Sequence, residues 1–309
     1  MNARRIKIPE TKDQWLSNRS MGIGGSDAGA VLGVNDYTSP YTLWCIKTGR
    51  IKQDQVNNES VKVGHDLEGY VAKRFTEATG KKVRRSGYSF ESIDHPFMLA
   101  NVDRFVVGEN AILECKTANA LTKYDYENGE IPASYRAQCV HYMAVTGAEK
   151  VYLAVLVMGK GFYWFKIDRD EDEVNELIEA EENFWSMVEN NTEPEIDGTD
   201  STKDTIDKLY PEGTEYTADI HGYEDILKKY IETKDKIKSL ESDLKTYELQ
   251  IKSLMKDSSH GLADGFDIKW KTVESNRFDS SSFKKDHPDL ADQYTKKSSF
   301  RRFEVKNIV

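Results

Sequence analysis

Residues 101–117, NVDRFVVGENAILECKT, restrict the fold more than any other stretch of this 309-residue chain. Two apolar runs flank a Gly-Glu-Asn turn at 108–110, and this combination predicts a β-hairpin. Side chains alternate along a strand, so Ile112, Glu114 and Lys116 share one face of the second run. A glutamate and a lysine on one face of an otherwise apolar strand cost free energy unless they are paired or bound to something. The hairpin therefore predicts a sheet strand that carries a polar site.

The hairpin also brings a third polar side chain to this site. If the first strand returns antiparallel through the turn, Asp103 lies beside Glu114, and two carboxylates so close repel each other unless a cation sits between them. An Asp, a Glu, a backbone carbonyl and waters suit an octahedral Mg²⁺ or Mn²⁺. Lys116 can then orient or deprotonate an attacking water. Asp, ten residues and then Glu-x-Lys resembles the motif of PD-(D/E)xK nucleases; the alternative is a Glu–Lys pair on an exposed edge strand.

Composition places the chain among ordinary globular proteins, because 38% of its residues are hydrophobic and 31% are charged. No apolar run of about eighteen residues and no apolar leader occur, so we expect a cytoplasmic protein without a membrane span. The three cysteines, Cys45, Cys115 and Cys139, are too few and too scattered for a disulfide framework or a zinc site. This cysteine usage fits a reducing compartment.

The net charge of −10 does not exclude nucleic acid as a partner, because the acidic residues are concentrated in one segment. Residues 168–219 hold 19 Asp and Glu against 3 Lys and Arg, which leaves 40 basic and 34 acidic residues elsewhere. The rest of the chain is therefore basic and includes the cluster KKVRR at 81–85. That cluster is either a solvated strand edge or a contact for phosphate.

Three regions follow from the patterning: a core at 1–191, an acidic linker at 192–219, and a long helix with a polar tail at 220–309. In the core, apolar periodicity alternates between helix and strand, which predicts an α/β sandwich with a mixed central sheet flanked by helices. The predicted helices begin at Ser26 and at Ser39 and lie at 61–79 and 133–146; the predicted strands are 83–93, 97–107, 111–117 and two strands within 151–167.

A heptad pattern predicts a coiled-coil helix in the last region. One set of positions spaced by seven is Tyr223, Tyr230, Ile237, Leu244 and Ile251, and the second set, offset by three, is Ile226, Thr233, Leu240, Tyr247 and Leu254. The partner of this helix is left open by the pattern, since a second copy, an antiparallel helix of the same chain or a different protein would all satisfy it.

Five segments in fixed order resemble the YqaJ-like viral recombinase family, the phage alkaline exonucleases similar to lambda exonuclease. They are RSMGIGGSDAGAVLG, SPYTLWCIKTG, GHDLEGYVAKRFTEATG, NVDRF with LECKT, and YRAQCVHYMAVTG, within a resemblance that covers about residues 14–168. The resemblance implies a PD-(D/E)xK, restriction-endonuclease-like core. Two departures, Val102 before the motif aspartate and Gly69 after the helical glutamate, both stand where relatives often have proline, and neither removes a ligand.

The resemblance assigns site residues one by one. It implies that Asp103, Glu114, the carbonyl of Cys115 and the helical Glu68 hold the metal, and that Lys116 is the catalytic lysine. Gln138 and Tyr135, three positions apart on one helical face, match the pair that reaches the scissile phosphate. The alternative for Glu68 is a solvated helix face, and for Tyr135 a place in the core.

Arg19 and Ser26 match the family's pocket for a 5′ phosphate. Independently of the family, Ser26 begins a predicted helix after a glycine-rich stretch at 22–25, so free amides face whatever lies in front of it. Arg19 supplies the forked donor that a terminal phosphate needs. A plain helix-capping serine is the alternative.

Taken together, the resemblance implies a 5′-to-3′ exonuclease that degrades one strand of linear double-stranded DNA and leaves 3′ overhangs for a single-strand annealing protein. Its cofactor would be Mg²⁺, with Mn²⁺ as a substitute and two ions per site. It implies a ring-shaped homo-oligomer such as a trimer, encoded by a phage or prophage and acting in the bacterial cytoplasm. The competing interpretations are an endonuclease of restriction or repair type and an inert DNA-binding scaffold; a terminal-phosphate pocket argues against the first, and the intact Asp103, Glu114 and Lys116 against the second.

Overall fold

A computed structural model of the chain describes residues 3–7, 11, 19–52, 58–122 and 124–307. Gln14, where the family resemblance begins, lies outside the described residues. The chain forms two units, Met1–Tyr210 and Pro211–Val309. The polar site predicted from the sequence lies in the first unit.

Two sheets form the framework of the first unit. The larger sheet has the strand order β3-β6-β7-β8-β9, in which β7 and β8 are parallel and all other neighbours are antiparallel; its strands are β3 (Val83–Arg85), β6 (Arg104–Val106), β7 (Ala111–Ala118), β8 (Lys150–Val157) and β9 (Gly161–Asp168). The smaller sheet has the order β1-β4-β5-β2 and consists of β1 (Ala3–Lys7), β2 (Ile23–Gly24), β4 (Tyr88–Ser92) and β5 (Met98–Ala100). The predicted mixed sheet is confirmed.

Helices cover both faces of the larger sheet. The helices of the first unit are α1 (Gly25–Val31), α2 (Pro40–Lys47), α3 (Glu59–Thr79), α4 (Ala133–Thr146), α5 (Glu171–Glu189) and α6 (Asp200–Leu209). Ile112 lies in the same buried cluster as Val140 of α4, whereas Leu113 lies in the cluster of Val71 and Phe75 of α3. The predicted alternation along β7 is therefore confirmed, and the face that bears Glu114 and Lys116 is the α4 face.

Each of the two long strands predicted at 83–93 and 97–107 divides into two, and this part of the prediction was wrong. The first breaks at Ser86-Gly87 and the second at 101–103, so that each contributes one piece to each sheet. Gly87 has no side chain to pack in a continuous strand. At 101–103, side-chain bonds take the place of the strand ladder: Tyr142 donates to the carbonyl of Asn101 (2.9 Å), and Asp103 accepts from Cys115 N (2.8 Å).

Part of the predicted acidic linker is structured, because α6 lies within residues 192–219. The Thr202 hydroxyl donates to Ser39 Oγ (2.7 Å), and the hydroxyls of Thr205 and Thr42 lie 2.8 Å apart. The high content of acidic residues led to the prediction of a linker, but the segment forms an amphipathic helix whose threonines face α2 and whose acidic residues face solvent. The first unit accordingly extends to Tyr210 instead of ending at residue 191.

The second unit contains the predicted long helix, α7 (Glu224–Met255), followed by the hairpin β10 (His260–Ala263) and β11 (Phe266–Lys269) and by the helices α8 (Ser280–Asp286) and α9 (Pro288–Tyr294). The helix is confirmed, and its pairing into a coiled coil stays a prediction. Among the residues with described positions, no helix is both long enough and apolar enough to cross a membrane.

A fully buried ion pair joins α4 to α5 and to the smaller sheet. His141 Nδ1 lies 2.8 Å from Glu181 Oε1, its Nε2 lies 2.9 Å from the Leu99 carbonyl, and both side chains are 0% exposed. Since both ring nitrogens face acceptors, a protonated imidazole satisfies both contacts. Burial alone would lower the pKa of His141, but the charge and hydrogen bond of Glu181 outweigh it and raise the pKa.

Removal of Glu181 should therefore destabilise the first unit. Glu181→Leu leaves His141 without its counter-charge and should lower the free energy of unfolding by about 3–5 kcal/mol at pH 6. Because the folded-state pKa of His141 is raised, the contribution of the pair is complete below the usual histidine pKa of about 6.5 and is lost as pH rises through the raised value. Urea unfolding at several pH values should show the gap between the two proteins narrowing as pH rises.

Glu179→Leu is the matched control, because Glu179 is an exposed residue of the same helix. It should change the unfolding free energy by less than about 0.5 kcal/mol. Equal losses in the two variants would mean that the buried pair has no special role.

Candidate functional site

The register of β6 on β7 brings two carboxylates together. Arg104 pairs with Leu113, so Asp103, one residue before β6, lies beside Glu114, as the sequence predicted. Asp103 Oδ2 accepts a hydrogen bond from the backbone N–H of Cys115 (2.8 Å). Burial, together with the charges of Glu114 and Glu68, raises the pKa of Asp103 to about 8. The pair therefore carries the electrostatic cost that the sequence predicted.

Gln138 of α4 connects Glu114 to Lys116. The Gln138 side chain donates through Nε2 to Glu114 Oε1 (2.7 Å), and its Oε1 accepts from Lys116 Nζ (2.8 Å). Lys116 Nζ also lies 2.8 Å from Glu114 Oε1. Burial alone would lower the pKa of Lys116, but the charge and hydrogen bond of Glu114 raise it. Tyr135 contributes its ring face, whose centroid is 5.1 Å from Nζ.

Tyr142 fixes the position of Gln138 and was not singled out from the sequence. Gln138 Nε2 donates to the Tyr142 hydroxyl (2.8 Å), which in turn donates to the Asn101 carbonyl (2.9 Å) just before Asp103. Its position in the sequence could have indicated this role, because Tyr142 follows Gln138 by four residues and residues four apart share a helix face. Tyr142 thus ties α4 to the strand break that presents Asp103.

Glu68 reaches the site from α3 but is held by an arginine. Arg104, whose exposed fraction is only 5%, donates through Nη1 to Glu68 Oε1, and Arg85 Nη2 lies 3.9 Å from the same oxygen. The charge of Glu68 is nevertheless close enough to Asp103 to contribute to its raised pKa. Arg104 was missed because a strand residue gives no local sign of a partner 36 positions away.

The residues fit a divalent cation at Asp103 and Glu114. Glu114 Oε2 is buried and has no hydrogen-bond partner, and an unsatisfied buried carboxylate oxygen beside a second carboxylate is a suitable ligand for a hard cation. Within the described ranges, no group of three His, Cys, Asp or Glu side chains is arranged to hold a metal. This agrees with the engagement of Glu68 by Arg104, and the roles of Glu68 and of the Cys115 carbonyl as ligands stay predictions.

A second polar cluster surrounds the start of α1. Arg19 Nη2 donates to Ser26 Oγ and to Asp27 Oδ1 (3.0 Å), so the structure brings the two predicted pocket residues together. Asp27 Oδ2 accepts from Lys47 Nζ (2.8 Å) and from Gly24 N (3.1 Å). Burial alone would raise the pKa of Asp27, but the charges of Lys47 and Arg19 lower it. Among the described residues of this cluster, the two cations Arg19 and Lys47 thus face one ionised carboxylate.

Ser26 does not cap α1, so the predicted cap was wrong: the cap lies two residues earlier, at Gly24. Gly24 is the N-cap and Ser26 lies within the first turn, because the Asp27 side chain bonds back to Gly24 N and takes over the capping. Gly25 lets the helix approach α4 closely, since a Cβ there would lie 2.4 Å from Tyr142 Cε1. Tyr142 therefore packs against the start of α1 and also bonds to Gln138 of the first cluster.

An open groove adjoins the end of β7 next to Lys116. It is lined by aromatic, polar and aliphatic side chains, among them Tyr37, Thr117, Leu121, Tyr124 and Tyr135. Tyr37 is 87% exposed and Leu121 is 91% exposed. The site can thus be reached from solvent by an extended ligand with stacking surfaces.

Comparison with known proteins gives a family match and a fold match. The YqaJ-like viral recombinase domain matches residues 14–149. An uncharacterized protein, YqaJ, of Bacillus subtilis (strain 168) is 39% identical over 304 residues, which covers 96% of this chain and 95% of that protein. The crystal structure of an alkaline exonuclease (LHK-Exo) from Laribacter hongkongensis is similar with a TM-score of 0.50 at 17% identity, covering 64% of this chain and all of that one. At 17% identity, the similarity to this exonuclease is a similarity of fold.

Replacement of Asp103 tests the cation site without reference to activity. Mn²⁺ at about 100 times its Kd should stabilise the protein by about 2.7 kcal/mol, provided that it binds only the folded state. Asp103→Asn keeps an oxygen that accepts from Cys115 N but removes one of the two charges, so most of this gain should be lost. Thermal unfolding with and without Mn²⁺ measures the difference.

Asp66→Asn provides the control, because Asp66 is an exposed residue of α3 two positions from Glu68. Its response to Mn²⁺ should match that of the wild type. An undiminished response in Asp103→Asn would place the cation elsewhere.

Proposed function

The chain belongs to the YqaJ-like viral recombinase family, and from that premise we propose that it is a metal-dependent exonuclease acting on linear double-stranded DNA. One observation carries the proposal. Asp103 and Glu114 converge, Glu114 keeps one oxygen without a partner, and Lys116 is held on the same strand face by Glu114 and Gln138. An alkaline exonuclease with a similar fold supports the same reaction class.

The chemistry of the proposal is hydrolysis of a phosphodiester. A divalent cation held by Asp103 and Glu114, with Cys115 O and Glu68 as further candidate ligands, would supply Lewis-acid charge for the scissile phosphate. Lys116, which its raised pKa keeps as an ammonium, would orient the attacking water by donating a hydrogen bond to it. Gln138 holds the Lys116 ammonium and the Glu114 carboxylate at fixed separation, and Tyr142 holds Gln138. These residues preorganise the site before substrate arrives.

We assign 5′-to-3′ polarity to the cluster at α1. A terminal 5′ phosphate needs a forked donor and a hydroxyl or amide donor beside it; Arg19 supplies the fork, Ser26 supplies the hydroxyl, and Lys47 pairs with the nearby Asp27. An enzyme that cuts within a duplex has no use for such a pocket. The product would be a 3′ overhang, which is the substrate of a single-strand annealing protein. The enzyme would act in the bacterial cytoplasm, and its metal would be Mg²⁺, with Mn²⁺ as a substitute.

Digestion of a defined duplex tests the proposal as a whole. The substrate is linear DNA with one 5′ end phosphorylated and the other a hydroxyl, in Mg²⁺, beside a covalently closed circle. Loss of the phosphorylated strand with an intact circle is the expected result. Cutting of the circle would indicate an endonuclease, and no cutting in Mg²⁺ or Mn²⁺ would leave only a DNA-binding scaffold.

Lys116→Ala should lower the rate of digestion by about 10²- to 10⁴-fold while leaving affinity for duplex DNA nearly unchanged. The reason is that Lys116 acts on the reacting atoms, whereas DNA affinity comes from many phosphate contacts. Single-turnover digestion and fluorescence anisotropy measure the two quantities. Lys160→Ala, at the turn between β8 and β9, should change neither. Equal losses of rate and affinity in Lys116→Ala would argue against a catalytic role.

Arg19→Ala should abolish the preference for phosphorylated 5′ ends, because the forked donor is removed while the Asp103 site is untouched. The ratio of initial rates on phosphorylated and hydroxyl ends measures this, and it should approach one. Arg4→Ala, which breaks an exposed ion pair with Glu91, should leave the ratio unchanged. A preference that survives in Arg19→Ala would place the pocket elsewhere.

A further inference from the structure

The longest helix of the protein presents an unusually apolar face to solvent. The two heptad sets described above together give ten positions between Tyr223 and Leu254, which we call the seam positions. Nine of them are apolar or aromatic, and Thr233 is the exception. Leu240 and Leu244 are each 66% exposed and Leu254 is 81% exposed. The helix is about 48 Å long at 1.5 Å per residue, whereas monomeric proteins rarely expose a contiguous apolar patch above a few hundred Å². A face of this length is expected to be covered.

The charges beside this face change sign at its middle. In the first half the flanking side chains are basic: Lys229, Lys234 and Lys236. In the second half they are acidic: Glu241, Asp243 and Glu248. In helix pairs such flanking residues contact their counterparts across the seam, so their signs decide the orientation of the partner.

A parallel pair of two identical copies of α7 would bring like charges together. With equal seam positions side by side, Lys229 faces Lys234 of the second copy and Asp243 faces Glu248 of the second copy. Only Lys236 with Glu241 of the second copy is attractive. A parallel arrangement therefore has twice as many repulsive pairs as attractive ones.

An antiparallel pair removes every repulsion. When Ile237 faces Leu240 of the second copy, Lys234 meets Glu241 and Lys236 meets Asp243, and two-fold symmetry repeats each contact. The same register places Tyr230 opposite Tyr247 and Ile226 opposite Ile251. Thr233 faces Leu244 instead of a second threonine, so no layer buries two facing hydroxyls.

We propose that α7 is a homodimerisation helix that pairs antiparallel with α7 of a second copy, with the two-fold axis between Lys238 and Ser239. The proposal is independent of the nuclease site, because every residue it uses lies in the second unit. The charge pattern determines the partner. The basic first half of α7 complements the acidic second half of another α7 that runs in the opposite direction.

The chain's own tail is the competing occupant of the face. The Phe303 ring lies 5.7 Å from the Tyr230 ring, and Tyr230 is the least exposed of the large apolar seam residues at 38%. An open groove beside this contact is still lined by Ile226, Thr233 and Ile237. Phe303→Ala should therefore leave dimerisation intact or strengthen it, whereas loss of the dimer in this variant would overturn the proposal.

Charge exchange in the full-length protein tests both partner and orientation. An acidic variant carries Lys234→Glu with Lys236→Glu, and a basic variant carries Glu241→Lys with Asp243→Lys. Each variant alone should self-associate at least about tenfold more weakly than the wild type, because its antiparallel charge pairs become repulsive. An equimolar mixture should associate like the wild type, since every pair is attractive again.

Lys238→Glu with Lys245→Glu is the matched control, because it makes the same charge change on the outer side of the helix. Sedimentation velocity over a dilution series gives each dissociation constant, and circular dichroism verifies that helix content is kept. The proposal would be overturned if the acidic variant associated as strongly as the control, or if the equimolar mixture of the acidic and basic variants failed to associate.

Cysteine cross-linking gives an independent measure of orientation. In the antiparallel register, Ile226→Cys and Ile251→Cys combined in one chain should form a disulfide-linked dimer, whereas each substitution alone should not. Single variants that cross-link as well as the combined one would indicate a parallel pair and overturn the proposal. Native Cys45 and Cys139 are buried and Cys115 is only partly exposed, so the wild type serves as the background.

Discussion

The pairing of β6 with β7 is the constraint on which the site depends. Opposition of Arg104 to Leu113 sets Asp103 beside Glu114 and, on the other face, points Arg104 at Glu68 of α3. Slippage by one residue would turn every side chain of β7 to the opposite face, so that Glu114 and Lys116 would meet α3 instead of Gln138. The packing of Ile112 against α4 and of Leu113 against α3 fixes this register hydrophobically. The ordinary core thus determines the position of the polar residues.

Charge balance inside the first unit follows one rule with one exception. Buried carboxylates are matched with nearby cations: Glu114 with Lys116, Asp27 with Lys47, and Glu181 with His141. Asp103 instead accepts a backbone N–H and lies among acidic neighbours, which is why its pKa is raised. A carboxyl group whose charged form is disfavoured by burial and by acidic neighbours is the place where a bound cation gains most.

The sequence predicted those features that depend on local periodicity. Strand alternation correctly placed Glu114 and Lys116 on one face, and the caps and glycines gave α3 and α4 within two residues. It failed where tertiary contacts override local pattern: the strand breaks at 87 and at 101–103, and the helix at 200–209 within an acidic segment. Partners such as Lys47 and Glu181 were also missed, because a long-range ion pair leaves no periodic trace in the chain. The family resemblance supplied Glu68 and Gln138, which spacing alone could not connect to the hairpin.

The parallel pairing of β7 and β8 has a consequence for synthesis of the protein. During translation the hairpin with Asp103, Glu114 and Lys116 leaves the ribosome first, while Gln138 follows 22 positions after Lys116 and β8 ends only at Val157. A parallel neighbour requires its crossover helix, so β7 remains a sheet edge until that helix has folded. We therefore expect the nascent chain to hold its charged groups in an open, unaligned state. The side chains of the site are therefore brought into alignment in a single step, when β8 joins β7 and the sheet is complete.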